Sequence, residues 1–167
     1  MASGEGSNFE HIVREGIKVD LLITNNTTAE VIRKAIRLNI PYIIAVKDYE
    51  AHVPESTELV ILAGFMKLLS KDFISKFPTI NIHPSLLPSF RGMNAVRQSL
   101  KAGVKVTGLT IHWVDEGIDT GSIVEQVTCR VAESDTEETL QNKIKKLEHT
   151  TYPRVLKDLI KLKEKRL

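Results

Sequence analysis

A chain of 167 residues with 42% hydrophobic and 26% charged content has the length and composition of one soluble globular domain spanning 1–167, with enough apolar material for a substantial core. Its 23 basic and 21 acidic residues leave a formal charge of +2, too small a bias to argue for nucleic acid or an anionic membrane, although a small anionic substrate is compatible with it. One cysteine, Cys129, excludes an internal disulfide; with no zinc-type Cys/His spacing, no apolar run near the roughly 20 residues of a membrane span and no signal-peptide blocks, the expected setting is the cytoplasm.

Ser3-Gly4-Glu5-Gly6-Ser7-Asn8 reads as a glycine-rich turn entering a helix, with Ser7 and Glu10 spaced as a capping box and Gly16 as the stop. Glycines let backbone amides approach an anion, and a helix N-terminus adds partial positive charge, which suits a phosphate. A capped turn without a ligand has the same composition. Such a turn normally follows a strand of about five residues, yet only Met1 and Ala2 precede it, so the chain is expected to begin one strand late.

Val19 to Thr24, Tyr42 to Val46 and Leu59 to Ala63 are short apolar runs rich in β-branched residues, predicting parallel strands covered on both faces. Between the first two, Thr28 to Leu38 places Val31, Ile32, Ala35 and Leu38 on one helical face, with Thr27 and Glu30 as a capping box; this is a βαβ unit. Thr79 to His83 predicts another strand, Val96 to Ala102 part of a helix, and Val106 to Val114 and Ile123 to Cys129 later strands. The alternation predicts an α/β fold, an open and mostly parallel twisted sheet flanked by helices. A final helix opens near Ser134 and Glu137 and carries Leu140, Ile144, Leu147, Thr151, Val155, Leu159 and Leu162 along one stripe, with Pro153 predicted to kink or divide it. From Arg154 onward, six basic and two acidic residues read as a solvated face whose charge suits a helix C-terminus.

Two polar segments carry candidate chemistry. In Asn81-Ile82-His83-Pro84-Ser85-Leu86-Leu87-Pro88, residues 81 and 83 share a side of the predicted strand because strand side chains alternate. An amide and an imidazole then face one crevice at a strand's C-terminal end, where open α/β sheets place ligands. Asp115-Glu116-Gly117-Ile118-Asp119-Thr120-Gly121 joins two strands. It reads either as an acidic turn or as the source of a carboxylate that folds against His83, favouring the protonated imidazole and orienting it.

Ala63 to Leu69, Asn81 to Pro88, Gly108 to Gln126 and Glu148-His149-Thr150-Thr151-Tyr152-Pro153 together resemble, in order, the phosphoribosylglycinamide formyltransferases, a family of folate-dependent formyltransferases with a Rossmann-like sheet. The resemblance implies formyl transfer from 10-formyltetrahydrofolate to the amine of glycinamide ribonucleotide in purine biosynthesis. It implies Asn81, His83 and Asp119 as catalytic residues, with Gly6, Ser7 and Asn8 at the substrate phosphate and Lys145 and Glu148 at phosphate and ribose. Met66, Lys67, Leu68 and Leu69, together with Asn81 and the loop Asp115, Glu116, Gly117, Ile118 and Asp119, match the folate-binding elements. No metal is implied, and a monomer or homodimer is expected.

The chain departs from the family pattern in its missing first strand, in a short segment between Tyr42 and Leu59, in Lys67 where arginine is common, and in Arg91-Gly92-Met93-Asn94 after the proline-rich turn. Other readings are a related enzyme, such as methionyl-tRNA formyltransferase or formyltetrahydrofolate deformylase, and a nonenzymatic phosphate- or nucleotide-binding relative. A Rossmann dehydrogenase is set aside because the third glycine of its fingerprint is absent.

Overall fold

The computed structural model describes residues 1–164. In chain order it forms α1 (Ser7–Arg14), β1 (Leu22–Thr24), α2 (Val31–Arg37), β2 (Tyr42–Ile44), a 3-10 turn (Tyr49–His52), β3 (Val60–Leu62), α3 (Lys71–Lys76), β4 (Thr79–His83), α4 (Ala95–Lys101), β5 (Val106–Trp113), β6 (Ile123–Arg130) and α5 (Glu137–Glu164). The α/β class stands, but the sheet is mixed rather than mostly parallel. β1 pairs with β2 and β3 with β4 in parallel, whereas β4–β5 and β5–β6 are antiparallel.

Two sheet segments, β1–β2 and β3–β4–β5–β6, are joined by the first residues of the chain. Ala2 N–H donates to Ile23 O on one side, while Ala63 N–H donates to Met1 O and Ser3 N–H to Gly64 O on the other. Residues 1–3 therefore lie between β1 and β3 and deliver the glycine-rich turn directly above them.

The main core forms where Ile80, Ile82, Leu109 and Ile111 meet Leu140, Ile144, Tyr152, Val155 and Leu156 of α5. Alternation along β4 sends Ile80 and Ile82 to that side and leaves Asn81 and His83 for the opposite face. Buried Tyr152 reaches Leu62 O and Ile80 O at 2.9 and 3.2 Å, which ties α5 to β3 and β4. Of the two expected effects of Pro153, division does not occur, for the helix continues through it; packing of both halves on one sheet outweighs the missing backbone donor. Its apolar stripe is buried at Leu140, Ile144, Thr151 and Val155, but Leu162 is exposed. The described basic residues of its end face solvent as expected, with Arg154 and Lys161 exposed, and two of them also form ion pairs, Lys157 on Glu15 at 2.8 Å and Arg154 on Glu125 and Asp158. Its charges at 163–166 lie outside the residues whose side chains are described.

Other local expectations change for identifiable reasons. Neither predicted capping box near the start forms. Gly6, at φ 72°, is the N-cap of α1, and Glu10 instead binds Lys34, Arg14 and Arg37 at 3.2, 2.6 and 2.7 Å. α2 starts at Val31 without a side-chain cap; its first N–H donates to Gly4 O, while Asn26 Oδ1 accepts from Thr28 N–H at 3.0 Å. α5 opens at Glu137, within the expected stretch, and Thr136 and Thr139 form a reciprocal cap there. β2 is not covered on both faces, for Tyr42 and Ile44 are exposed at this sheet edge. An unpredicted helix, α3, is capped by Ser70 Oγ, which accepts from Phe73 N–H. The short segment after β2 holds only the 3-10 turn, from which Tyr49 Oη donates to Leu68 O at 2.7 Å.

Candidate active site

β4 and β5 run antiparallel with His83 opposite Thr110 and Asn81 opposite His112, so their alternate residues Asn81, His83, Thr110 and His112 project from one face. The loop after β5 starts beside Ile80, since Trp113 is that residue's partner, and folds back across the face to bring Asp119 onto the row. Asp119 Oδ2 lies 3.2 Å from His83 Nδ1, and Oδ1 lies 3.5 Å from His112 Nε2. Asn81 Nδ2 is 3.2 Å from the same His112 Nε2. Residues far apart in the chain, Asn81, His83 and Asp119, thus meet in one polar cluster, with direct contact between imidazole and carboxylate.

His112 was not singled out by sequence reasoning. Its position two residues after Thr110 on the same strand face was the available signal. Its ring is buried, and Nδ1 donates to Trp113 O at 2.9 Å, which orients Nε2 toward Asn81 and Asp119.

The loop after β4 closes the other side of His83. Phe90 O is 2.8 Å from His83 Nε2, and Gly92 N–H donates to Asp119 Oδ2 at 2.7 Å. The variant Arg91–Asn94 segment is therefore part of the cluster through its backbone. Both His83 nitrogens face oxygen acceptors, and Asp119 favours the protonated ring as expected, but it is not the largest influence. Burial pulls its pKa below the ordinary histidine value; the Phe90 carbonyl and Asp119 oppose this without offsetting it, and His112 adds to the lowering. For Asp119, burial acts to raise the carboxyl, but the contact with His112, the hydrogen bond from Gly92 N–H and the nearby His83 ring outweigh it, leaving it below the ordinary carboxylate range.

Gly6, Ser7 and Asn8 lie at the start of α1, and α5 brings Lys145 and Glu148 beside them. Asn8 Nδ2 donates to Glu148 Oε2 at 2.8 Å, while Lys145 Nζ pairs with Glu5. Asn8 Oδ1 is buried without a hydrogen-bond partner, a group that requires a donor. Glu148 is almost wholly buried; desolvation pushes its carboxyl pKa up, opposed by the Asn8 hydrogen bond and the Lys145 charge. A Cβ at Gly6 would sit 2.3 Å from Val31 Cγ2, so only glycine permits this turn to pack on α2.

The remaining predicted positions lie on the loops after β3 and β5. Met66, Leu68 and Ile118 are 65%, 69% and 54% exposed, Lys67 is also exposed, and Leu69 packs partly against the core of Phe73 and Phe77. Asp115 Oδ1 accepts from Gly117 N–H and Thr120 Oγ1, and Glu116 pairs with Lys71 at 3.0 Å, which shapes the loop carrying Asp119. Among the described residues there is no group of three or more His, Cys, Asp or Glu side chains arranged to hold a metal, and no helix long and apolar enough to cross a membrane.

Residues 1–156 match the family model described as formyl transferase. The chain is 41% identical to the phosphoribosylglycinamide formyltransferase of Bacillus subtilis over 181 aligned positions, covering 96% of this chain and 93% of that one. Crystal structures of phosphoribosylglycinamide formyltransferase from Streptococcus pneumoniae and Bacillus halodurans superpose with TM-scores of 0.89 and 0.88 at 35% and 38% identity. They match over 95% of this chain and over 96% and 92% of theirs, respectively.

Proposed function

The chain belongs to the formyl transferase family, as a phosphoribosylglycinamide formyltransferase, and from that premise we propose that Asn81, His83 and Asp119 carry the reaction. It is a one-carbon transferase that moves a formyl group to glycinamide ribonucleotide in purine biosynthesis. Folate supplies the group, and 10-formyltetrahydrofolate is the donor we infer. The observation that carries the assignment of roles is the 3.2 Å contact between His83 Nδ1 and Asp119 Oδ2 beside the Asn81 amide.

The reaction forms a bond from the substrate amine nitrogen to the formyl carbon and breaks the bond from that carbon to the folate nitrogen. Negative charge grows on the formyl oxygen. Asn81 has two amide hydrogens, so one remains for this oxygen while the other faces His112. His83, whose burial favours the neutral ring, takes the proton released by the attacking amine and passes it to the leaving nitrogen. During that interval the ring is a cation between Asp119 and the Phe90 carbonyl, whose oxygens stabilise it. Neither a metal nor a covalent enzyme intermediate enters this scheme.

Substrate binding is assigned to the other end of the crevice. Gly6, Ser7 and Asn8 offer backbone amides and the start of α1 to the phosphate, Lys145 stands by as cation, and Glu148 accepts from ribose hydroxyls. The orphan Asn8 Oδ1 fits this reading because a hydroxyl donor would satisfy it. Met66 to Leu69 and Asp115 to Asp119 are assigned to folate; apolar Met66, Leu68 and Ile118 left in water suit a flat heterocycle.

An acceptor assay with 10-formyltetrahydrofolate tests the function. Product is expected with glycinamide ribonucleotide and not with water or charged tRNA; turnover confined to either of the latter would overturn it. His83→Ala should remove most turnover, at least about a hundredfold, while calorimetry shows ribonucleotide binding nearly intact. Full activity in that variant would end the assigned role.

A further inference from the structure

One polar residue on the same sheet face has no place in the scheme above. Gln126 of β6 lies opposite Thr110 of β5, which lies opposite His83 of β4, so the three form a row across three strands. Although the Gln126 residue is exposed, its side-chain Nε2 turns inward and donates to Leu87 O at 2.8 Å and Thr110 Oγ1 at 3.0 Å.

Thr110 is fully buried, and its hydroxyl is saturated: it donates to Ser85 O at 2.6 Å and accepts from Leu87 N–H at 3.0 Å as well as from Gln126. These bonds clamp Ser85 and Leu87 onto the sheet. Ser85 Oγ in turn donates to Ser89 O at 2.6 Å and lies 3.4 Å from Phe90 O. The chain of contacts ends at His83, because Phe90 O is the acceptor for its Nε2.

We propose that Gln126 is a positioning residue for the transfer reaction, holding the Ser85–Phe90 turn through Leu87 and Thr110 so that the Phe90 carbonyl fixes the His83 ring by its Nε2 while Nδ1 rests on Asp119. The Phe90 carbonyl and the ionised Asp119 carboxylate both only accept, so the ring they grip by its two nitrogens is stabilised most when both carry hydrogen, the cationic state through which the relay passes. Release of the turn removes one of the two grips and lets the ring turn away from the other. The proposal rests on the reading of His83 as the proton relay, but the placement of its ring can be measured apart from turnover.

The test uses Gln126→Leu, which preserves the apolar stem and removes the donor, with Ser85→Ala as a second variant acting further along the same path. In both, kcat should fall about tenfold, since small misplacements at a reacting group carry rate penalties of this order, while KM for glycinamide ribonucleotide stays within about twofold because the phosphate turn is remote. The acid limb of the kcat–pH profile should move to lower pH, because the Phe90 carbonyl acts to raise the His83 pKa alongside Asp119 and against His112. Nitrogen-15 NMR of labelled histidine should show the His83 Nε2 hydrogen bonded to its carbonyl in the parent and that signature weakened in the variants. An unchanged Nε2 signature together with an unmoved acid limb would overturn the proposal, as would a loss of kcat and KM in parallel with no change at His83, the mark of general destabilisation. If His83→Ala retained full turnover, the relay role would fall, while a changed Nε2 signature in Gln126→Leu would still establish the positioning.

Discussion

At the residue scale, the centre of this protein is an imidazole between two acceptors in a partly dry site. Opposite charge alone would predict a cationic His83, but solvent loss around the ring is the larger influence. Asp119→Asn isolates the carboxylate. Without it the force raising the His83 pKa is weakened, so the pKa falls further and the acid limb of the rate profile should move to lower pH, with kcat down by at least about tenfold. A pH–rate series on the two proteins checks this, and superimposable limbs would separate Asp119 from His83. The sign follows from the roles: a base is lost when it is protonated, and a lower pKa postpones that loss to more acidic solution.

Elements matter here mainly through what they bring to the turn at Gly6. Residues 1–3 hydrogen-bond to β1 and β3, α2 spends its first N–H on Gly4 O, and Val31 occupies the space a side chain at position 6 would need. Gly6→Ala therefore meets both a left-handed φ of 72° and a contact of 2.3 Å. The expected result is a folded but less stable protein whose KM for the ribonucleotide rises about tenfold or more, since the displaced turn carries the proposed phosphate amides. Steady-state kinetics beside a thermal melt would test it, and an unchanged KM would remove the turn from the substrate site.

For the whole molecule, α5 is the element that links the Gly6 turn to the polar cluster on β4. It supplies Lys145 and Glu148 beside Glu5 and Asn8 and packs behind β4, which carries Asn81 and His83 on its other face. Tyr152 is the buried polar tie between helix and sheet, so Tyr152→Phe should cost about 1–2 kcal/mol by leaving strand carbonyls without their donor. For a protein of this size that lowers Tm by roughly 2–8 °C, with little change in kcat. A calorimetric Tm equal to that of the parent would show that the hydroxyl is not what holds the helix in place.

The shared face of Asn81 and His83 was legible in the sequence because alternation on a strand is a local rule, and it holds wherever β4 packs. The apolar runs of β1, β3 and β4 and the buried stripe of α5 were legible for the same reason, since period and composition report burial directly. What only the tertiary structure decided was everything that depends on neighbours distant in the chain. The meeting of Asp119 with His83 needed the loop after β5 to fold back over the sheet; His112 and Gln126 gained meaning only from strand register; and the competing Glu10 ion pairs and the Gly4 carbonyl replaced caps that looked sound locally. Pairing, desolvation and packing are set by which segments come into contact, and neither residue spacing nor side-chain type contains that information.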